Sequence, residues 1–210
     1  MLTGVRGIGK TTTARLIARA LNYKTDTVDQ PNIEMLEMGQ HCSEIMESRH
    51  IDVIEMDAAS RTGIADIREI IDSINYSPAS ARYKIYIIDE VHMLSKAAFN
   101  GLLKTLEEPP AHVKFIFATT EVQKVPLTIL SRCQRFDLKR FDNELIKSLL
   151  LKVCDKENVK IDDSVIGLIS RASGGSARDS LSLLDQAIAL SENEEALSEN
   201  LIRQMLGLSD

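Results

Sequence analysis

Hydrophobic positions along this chain follow two different rhythms, and the change falls near residue 140. Before it, short apolar runs of strand length alternate with stretches of three-to-four spacing. IDVIEMD (51–57), YKIYIIDE (83–90) and VKFIFATT (113–120) read as strands, with a last short one at 135–138. The centres of the second and third are apolar at successive positions, as in a strand covered by helices on both faces of a parallel sheet. Between them, 10–21, a segment through Ile45, Met46 and Arg49, 66–75, 97–107 and 127–133 read as helical, with Ile67, Ile70, Ile71 and Ile74 on one face of the third. The helix before Glu108-Pro109-Pro110 must stop there, because a residue preceding proline disfavours the helical region. After residue 140 no strand-like run returns, and 141–157, 162–172, 176–191 and 198–206 all carry helical spacing. The expected fold class is therefore α/β: a parallel-sheet domain over 1–140 joined to a small helical domain over 141–210.

The turn between the first residues and the first helix carries chemistry. GVRGIGKT, from Gly4 to Thr11, matches G-x-x-x-x-G-K-[ST], in which glycines let backbone N–H groups turn inward around phosphate oxygens. The helix behind it adds the positive end of its dipole. Gly4, Gly7, Gly9, Lys10, Thr11 and Thr12 form the expected nucleotide-binding set. Lys10, taken as a surface point charge, would reach the β- and γ-phosphates, and the Thr11 hydroxyl would hold Mg²⁺. The plainer alternative is a glycine-rich turn that caps an ordinary helix. A second half-site sits at Asp89-Glu90, where a buried strand ends in two acids. Ligands bind at that edge of a parallel sheet, so Asp89 is expected to hold the Mg²⁺ shell and Glu90 to orient and deprotonate a water. A strand that merely ends in solvated acids is the bland reading, and the complete phosphate loop upstream weighs against it.

Composition changes this picture little. With 210 residues and 44% hydrophobic content the chain can bury one α/β core and a smaller companion. No apolar run approaches the ~20 residues of a membrane span, and no signal-peptide pattern precedes the loop, which predicts a cytoplasmic protein without membrane partners. Cys42, Cys133 and Cys154 are few, odd in number and far apart, which argues against a disulfide framework. The net charge of −6 is uneven: residues 141–210 hold 13 acidic and 7 basic side chains, which leaves 18 of each before them. Gripping DNA by bulk charge is excluded, so any DNA contact must be local.

Four segments together identify a family. IDVIEMDAASRTG (51–63), DEVHMLS (89–95), LLKTLEEPP (102–110) and SRC (131–133) closely resemble the gamma/tau subunits of bacterial DNA polymerase III, clamp-loader ATPases of the AAA+ class. The resemblance spans residues 4 to about 208. It implies an AAA+ P-loop core followed by a helical lid, and ATP with Mg²⁺ as ligands. The implied partners are the other subunits of a hetero-oligomeric ring, a sliding clamp, primer-template DNA and, through a longer form, the polymerase core. It also implies roles for three further residues. Thr120 matches the sensor at the γ-phosphate, Arg178 in GGSARD matches the lid arginine that reaches the nucleotide, and Arg132 matches the finger that completes a neighbouring subunit's site. Guanidinium groups suit transition-state phosphate charge. As a plainer reading, Thr120 is an ordinary hydrogen-bonded strand end and Arg178 a solvated helix residue.

Two departures stand out. Family members carry four zinc-binding cysteines in the insertion after the first helix, and here only Cys42 remains, with Gly39 and Leu36 at the preceding positions. One thiolate does not close a tetrahedral site, and adjacent His41 and Cys42 point poorly at one ion, so zinc is not expected. The strand that feeds the phosphate loop is reduced to Met1-Leu2-Thr3. Placed centrally between the Asp89 strand and its neighbour, so short a strand would leave backbone groups of two buried strands unpaired. The expectation that follows is a truncated clamp-loader ATPase whose activity alone is impaired. Against the ATPase reading stand a remnant that serves only as an interaction module, and another AAA+ DNA motor.

Overall fold

The computed structural model describes residues 1–61, 63–191 and 199–207. Thr62 in the expected loop, Ser198 at the start of the last expected helix, and Leu208 at the end of the resemblance lie outside the described residues. The first compact unit comprises Met1–Gly4 and Lys10–Leu138, and the second Val5–Gly9 with the residues from Lys139 onward.

The first unit holds a five-stranded, all-parallel sheet in the order β2-β3-β4-β1-β5. Its strands are β1 (Leu2–Thr3), β2 (Val53–Asp57), β3 (Lys84–Asp89), β4 (Val113–Thr119) and β5 (Phe136–Asp137). Its helices are α1 (Lys10–Leu21), α2 (Cys42–Met46), α3 (Ile64–Ile74), α4 (Lys96–Glu107) and α5 (Leu127–Leu130). The doubly apolar β3 is explained by two cores. Ile85 and Ile87 pack with Ala14, Ala18 and Ile45 on one face, while Tyr86 and Ile88 pack with Ile67, Ile70, Phe99 and Leu102 on the other. All are buried, and each fully buried aliphatic side chain contributes roughly 1.5 to 3 kcal/mol.

One sequence expectation is corrected here. β1 does not lie beside the Asp89 strand. It pairs with β4 (Leu2 opposite Ala118, Thr3 opposite Thr119) and with β5 (Leu2 opposite Phe136, Thr3 opposite Asp137). β3 is already paired on both edges, with β2 and β4, so a short β1 costs the Asp89 strand nothing. Strand β2 also starts two residues later than its apolar pattern. Residues 50–53 form a turn in which the Val53 N–H donates to the His50 carbonyl at 3.1 Å and the Asp52 N–H donates to His50 Nδ1 at 3.0 Å.

Asp52, unremarked in the sequence, anchors the loop ahead of β3. Its carboxylate is buried and accepts the N–H groups of Ala79 (2.7 Å), Ser80 (2.8 Å) and Ala81 (2.9 Å) and the Ser80 hydroxyl (3.2 Å). Hydrogen bonds tie down the insertion after α1. The Asn22 amide pairs both ways with Tyr83, donating to its carbonyl at 2.9 Å and accepting its N–H at 2.8 Å. Arg82 donates to the Leu21 carbonyl at 2.8 Å and to Asp29 at 2.5 Å, and the Tyr23 hydroxyl donates to the Glu37 carbonyl at 3.1 Å.

The second unit is built on α6 (Asn143–Glu157), α7 (Asp163–Ala172), α8 (Ala177–Ser191) and α9 (Glu199–Met205). Its core includes Ile146, Leu150, Val165, Ile169, Leu184 and Ile202. The Asp142 carboxylate caps α6 by accepting the Leu145 N–H at 2.8 Å, and Asn158 ends that helix in the left-handed conformation. Among the described residues no helix is long and apolar enough to cross a membrane.

Burial pushes the Asp52 carboxyl up, but the Ala81, Ala79 and Ser80 donors outweigh it and hold the group below its ordinary value. A depressed folded value means that its stabilisation is full above the ordinary carboxylate range and is lost as pH falls through the folded value. Asp52→Asn exchanges one acceptor for an N–H donor facing N–H groups. The expected cost is about 2 to 4 kcal/mol at pH 7, shrinking as the pH approaches 3, measured by denaturant unfolding across that range.

Candidate nucleotide site

Within the first unit, two pairs of the expected residues meet at the C-terminal edge of the sheet. The Thr11 hydroxyl, one residue into α1, donates to Asp89 Oδ2. Asp89 Oδ1 accepts the Glu90 N–H at 2.8 Å, so both carboxylate oxygens are oriented. Glu90 has left-handed backbone angles (φ 46°, ψ 43°) that carry the chain from β3 into a 3-10 turn at Val91–Met93. Its Oε2 accepts the Thr120 hydroxyl at 2.9 Å and the Thr120 N–H at 3.2 Å. A hydroxyl and a carboxylate side by side are hard oxygen donors of the kind that Mg²⁺ takes, so Thr11 and Asp89 fit that ion.

Lys10 departs from the sequence expectation. It is 6% exposed rather than a surface charge, and its ammonium donates to the Gly4 carbonyl at 3.0 Å. Its position at the first residue of α1 brings it to the Gly4 carbonyl just after β1. Thr12 is exposed on the same turn. Arg132 follows α5, where it donates to the Thr128 carbonyl at 2.7 Å and pairs with Glu107. Among the described residues it makes no hydrogen bond or ion pair with Lys10, Thr11, Asp89, Glu90 or Thr120.

In the second unit, loop residues 5–9 sit against the start of α8. The Arg178 N–H donates to the Gly7 carbonyl at 3.2 Å, and Ser176 Oγ accepts the Asp179 N–H at 3.2 Å. Gly7 has φ +80°, and a Cβ there would lie 2.0 Å from Ser176 Oγ and 3.3 Å from Arg178 Cβ. Gly9 has φ +89°, but a Cβ there would meet nothing within 4 Å. Gly7 is thus required for both conformation and space, Gly9 for conformation alone. The Arg178 side chain is exposed.

Sequence reasoning passed over His92. It carries no signal beyond its place in DEVHMLS, yet its side chain is 6% exposed and its Nδ1 lies 2.9 Å from Thr119 Oγ1. The zinc question also has a geometric answer. His50 Nδ1 accepts the Asp52 N–H, so His50 Nε2 donates to His41 Nδ1 at 2.9 Å, and the two rings use their facing nitrogens on each other. Burial and then the neighbouring His50 push the His41 imidazole below its ordinary value. Among the described residues no three His, Cys, Asp or Glu side chains converge as a ligand set, and the residues present do not fit a structural zinc ion.

The family described as "DNA polymerase III, delta subunit" matches residues 1–142, and "DNA polymerase III clamp loader subunit, ATPase lid domain" matches residues 145–193. The chain belongs to the DNA polymerase III clamp-loader ATPase family. It is 48% identical over its whole length to DNA polymerase III subunit tau of Salmonella typhimurium, and 49% identical over 91% of its length to the tau subunit of Bacillus subtilis. It spans about a third of the length of those relatives, 32% and 33% respectively. A Thermotoga maritima RuvB Holliday junction branch migration motor superposes with TM-score 0.70 at 18% identity, over 99% of this chain and 60% of that one. That likeness shows the fold alone, and the ATPase class rests on the match to the clamp-loader ATPase lid domain.

The two loop glycines separate by experiment. Gly9→Ala is expected to cost about 1 to 2 kcal/mol for its positive φ. Gly7→Ala should cost more, and Ser176→Gly in the same chain should return part of the excess, whereas it should return nothing to Gly9→Ala. Thermal unfolding of the four proteins provides the check.

Proposed function

We propose that this chain is the ATP-hydrolysing portion of a clamp-loader subunit, which couples ATP binding and hydrolysis to placement of a sliding clamp on primer-template DNA during replication in the cytoplasm. The reading is carried by the Thr11–Asp89 contact with the Glu90–Thr120 contact beside it: a metal-holding pair and a water-activating pair at adjacent strand ends. ATP is the substrate. Lys10 would bind its β- and γ-phosphates, and the N–H groups of residues 4–11 would line the oxygens. Thr11 and Asp89 would hold Mg²⁺, which supplies charge neutralisation between the β- and γ-phosphates when bound. Glu90 would orient and deprotonate the attacking water, Thr120 would report the γ-phosphate, and Arg178 would reach the nucleotide from the helical unit.

Arg132 would act on a neighbouring subunit's ATP in a hetero-oligomeric ring. Its ties to Glu107 and the Thr128 carbonyl within the chain support this, since neither brings it to the site of its own subunit. The complex so formed would belong to the DNA-directed DNA polymerase III holoenzyme, with the polymerase core joined through a longer form of the protein.

In the full-length protein, Lys10→Ala should raise the ATP dissociation constant and abolish clamp loading. Because Lys10 is buried, thermal unfolding must accompany the assay, with Lys10→Met as the variant that keeps the stem. Arg132→Ala should leave ATP affinity of the isolated subunit within about twofold and lower hydrolysis by the assembled complex by about 10³-fold. Loss of ATP affinity in isolated Arg132→Ala would place the arginine in its own subunit's site. Unchanged loading by both Lys10 variants would remove the nucleotide assignment.

A further inference from the structure

His92 sits at the centre of a small polar network that the ATPase reading leaves without a task. The ring follows the left-handed turn at Glu90, inside the 3-10 turn Val91–Met93. Its neighbour Val91 is fully buried in the apolar core, whereas the His92 ring, 6% exposed, is met by polar groups. The imidazole instead spans two acids. Nδ1 lies 3.4 Å from Glu90 Oε2 and 2.9 Å from Thr119 Oγ1, and Nε2 lies 3.4 Å from Glu121 Oε1. Thr119 Oγ1 also accepts the Glu121 N–H at 3.1 Å, and Glu121 is held from outside by Lys124 at 2.8 Å. The ring is therefore fixed from both edges by the turn that ends β4.

The contacts on Glu90 are one-sided. The Thr120 hydroxyl, the Thr120 N–H and His92 Nδ1 all approach Oε2. Among the described residues Oε1 has no hydrogen-bond partner. A carboxylate pinned by one oxygen presents the other in a set direction, and an error of about 1 Å in a reacting group can cost about a hundredfold in rate. The two Thr120 bonds meet at one oxygen, and His92 Nδ1 adds a third approach to that same oxygen at 3.4 Å.

We propose that His92 is a positioning residue for Glu90: braced against Thr119 and Glu121, it pins Oε2 together with Thr120, so that Oε1 is the oxygen that takes the proton of the attacking water. In that step the water oxygen bonds to the γ-phosphorus and the bond from phosphorus to the bridging oxygen breaks. Its electron pair leaves on ADP, and the water proton passes to Oε1. This inference rests on the ATPase reading and names a residue that acts through Glu90 without touching the substrate.

The test uses the full-length protein in its assembled complex, with steady-state hydrolysis, binding of a fluorescent ATP analogue and thermal unfolding measured on each variant. His92→Ala should lower kcat by roughly ten- to a hundredfold while KM and analogue affinity stay within about twofold. His92→Asn, whose amide falls near the position of Nδ1, should recover most of the loss, and His92→Gln, whose amide falls nearer Nε2, should recover less. Glu121→Ala alters a half-exposed side chain outside the apolar cores, so it reads the bracing with little risk to the core, and should lower kcat severalfold. Glu90→Gln separates the two levels of the argument. If it abolishes hydrolysis while His92→Ala and Glu121→Ala leave kcat unchanged, the positioning role is overturned and the site stands. If Glu90→Gln hydrolyses ATP at the normal rate, the site reading falls and this inference with it. Equal losses in all three His92 variants, in step with their melting temperatures, would show a purely structural residue and overturn the proposal.

Discussion

The site depends on a single backbone event, the left-handed turn at Glu90. A non-glycine residue in that region costs about 1 to 2 kcal/mol, and several bonds hold it there. The Asp89 side chain accepts the Glu90 N–H, the Asp89 carbonyl accepts the Ala58 N–H at 2.9 Å, and the Glu90 carbonyl accepts the Met93 N–H at 2.8 Å. The consequence is that two consecutive acids, which an extended strand would send to opposite faces, find separate partners at one edge. Asp89 turns to Thr11 on α1 and Glu90 to Thr120 beyond β4. Without the turn, Glu90 would continue β3, as its apolar run alone leads one to expect.

Burial is what the sequence encodes most directly, and the legible parts of the fold are those that burial decides. Ile85 to Ile88 could be read as a strand covered on both faces because successive side chains needed two cores, and both exist. The place of β1 was not legible, since two residues carry no periodicity and pairing edges are chosen by backbone groups that every residue shares. Asp52 was missed for a related reason. An acid before a strand looks like a solvated boundary until the Ala79–Ala81 N–H groups are seen converging on it. The phosphate loop and the Asp89-Glu90 pair were visible as spacing, whereas the burial of Lys10 was not, because a motif specifies residue types and says nothing of how deeply each is buried.

Hydrogen bonds from three residues hold the start of the insertion after α1. Asn22 bridges both backbone groups of Tyr83, and Arg82 gathers the Leu21 carbonyl and Asp29. These bonds act where the insertion leaves α1, tying it to the residues just before β3. Its middle, by contrast, leaves Ile33, Leu36 and Met38 mostly exposed. Leu36, at 96% exposure, and Gly39 hold two of the positions that the resemblance gives to cysteine, and neither adds to a core there.

Strand register converts these local facts into chemistry. β3 and β4 pair with Ile88 opposite Phe117, which sets the ends of the two strands side by side and brings Glu90 to Thr120. A slip of one residue would move β4 by about 3.3 Å and turn its side chains to the opposite faces. The 2.9 Å bond from Thr120 to Glu90 could not survive that shift, and neither could the one from Thr119 to His92. The same slip would exchange Phe117 with Ile116 and Ala118 between the two cores that cover the sheet, so the packing that fixes the register for folding is also what fixes the distance between the two polar side chains. The core therefore sets the geometry of the site: substitutions among Ile85, Ile87, Ile116 and Phe117 reach Glu90 through register, although none of them touches it.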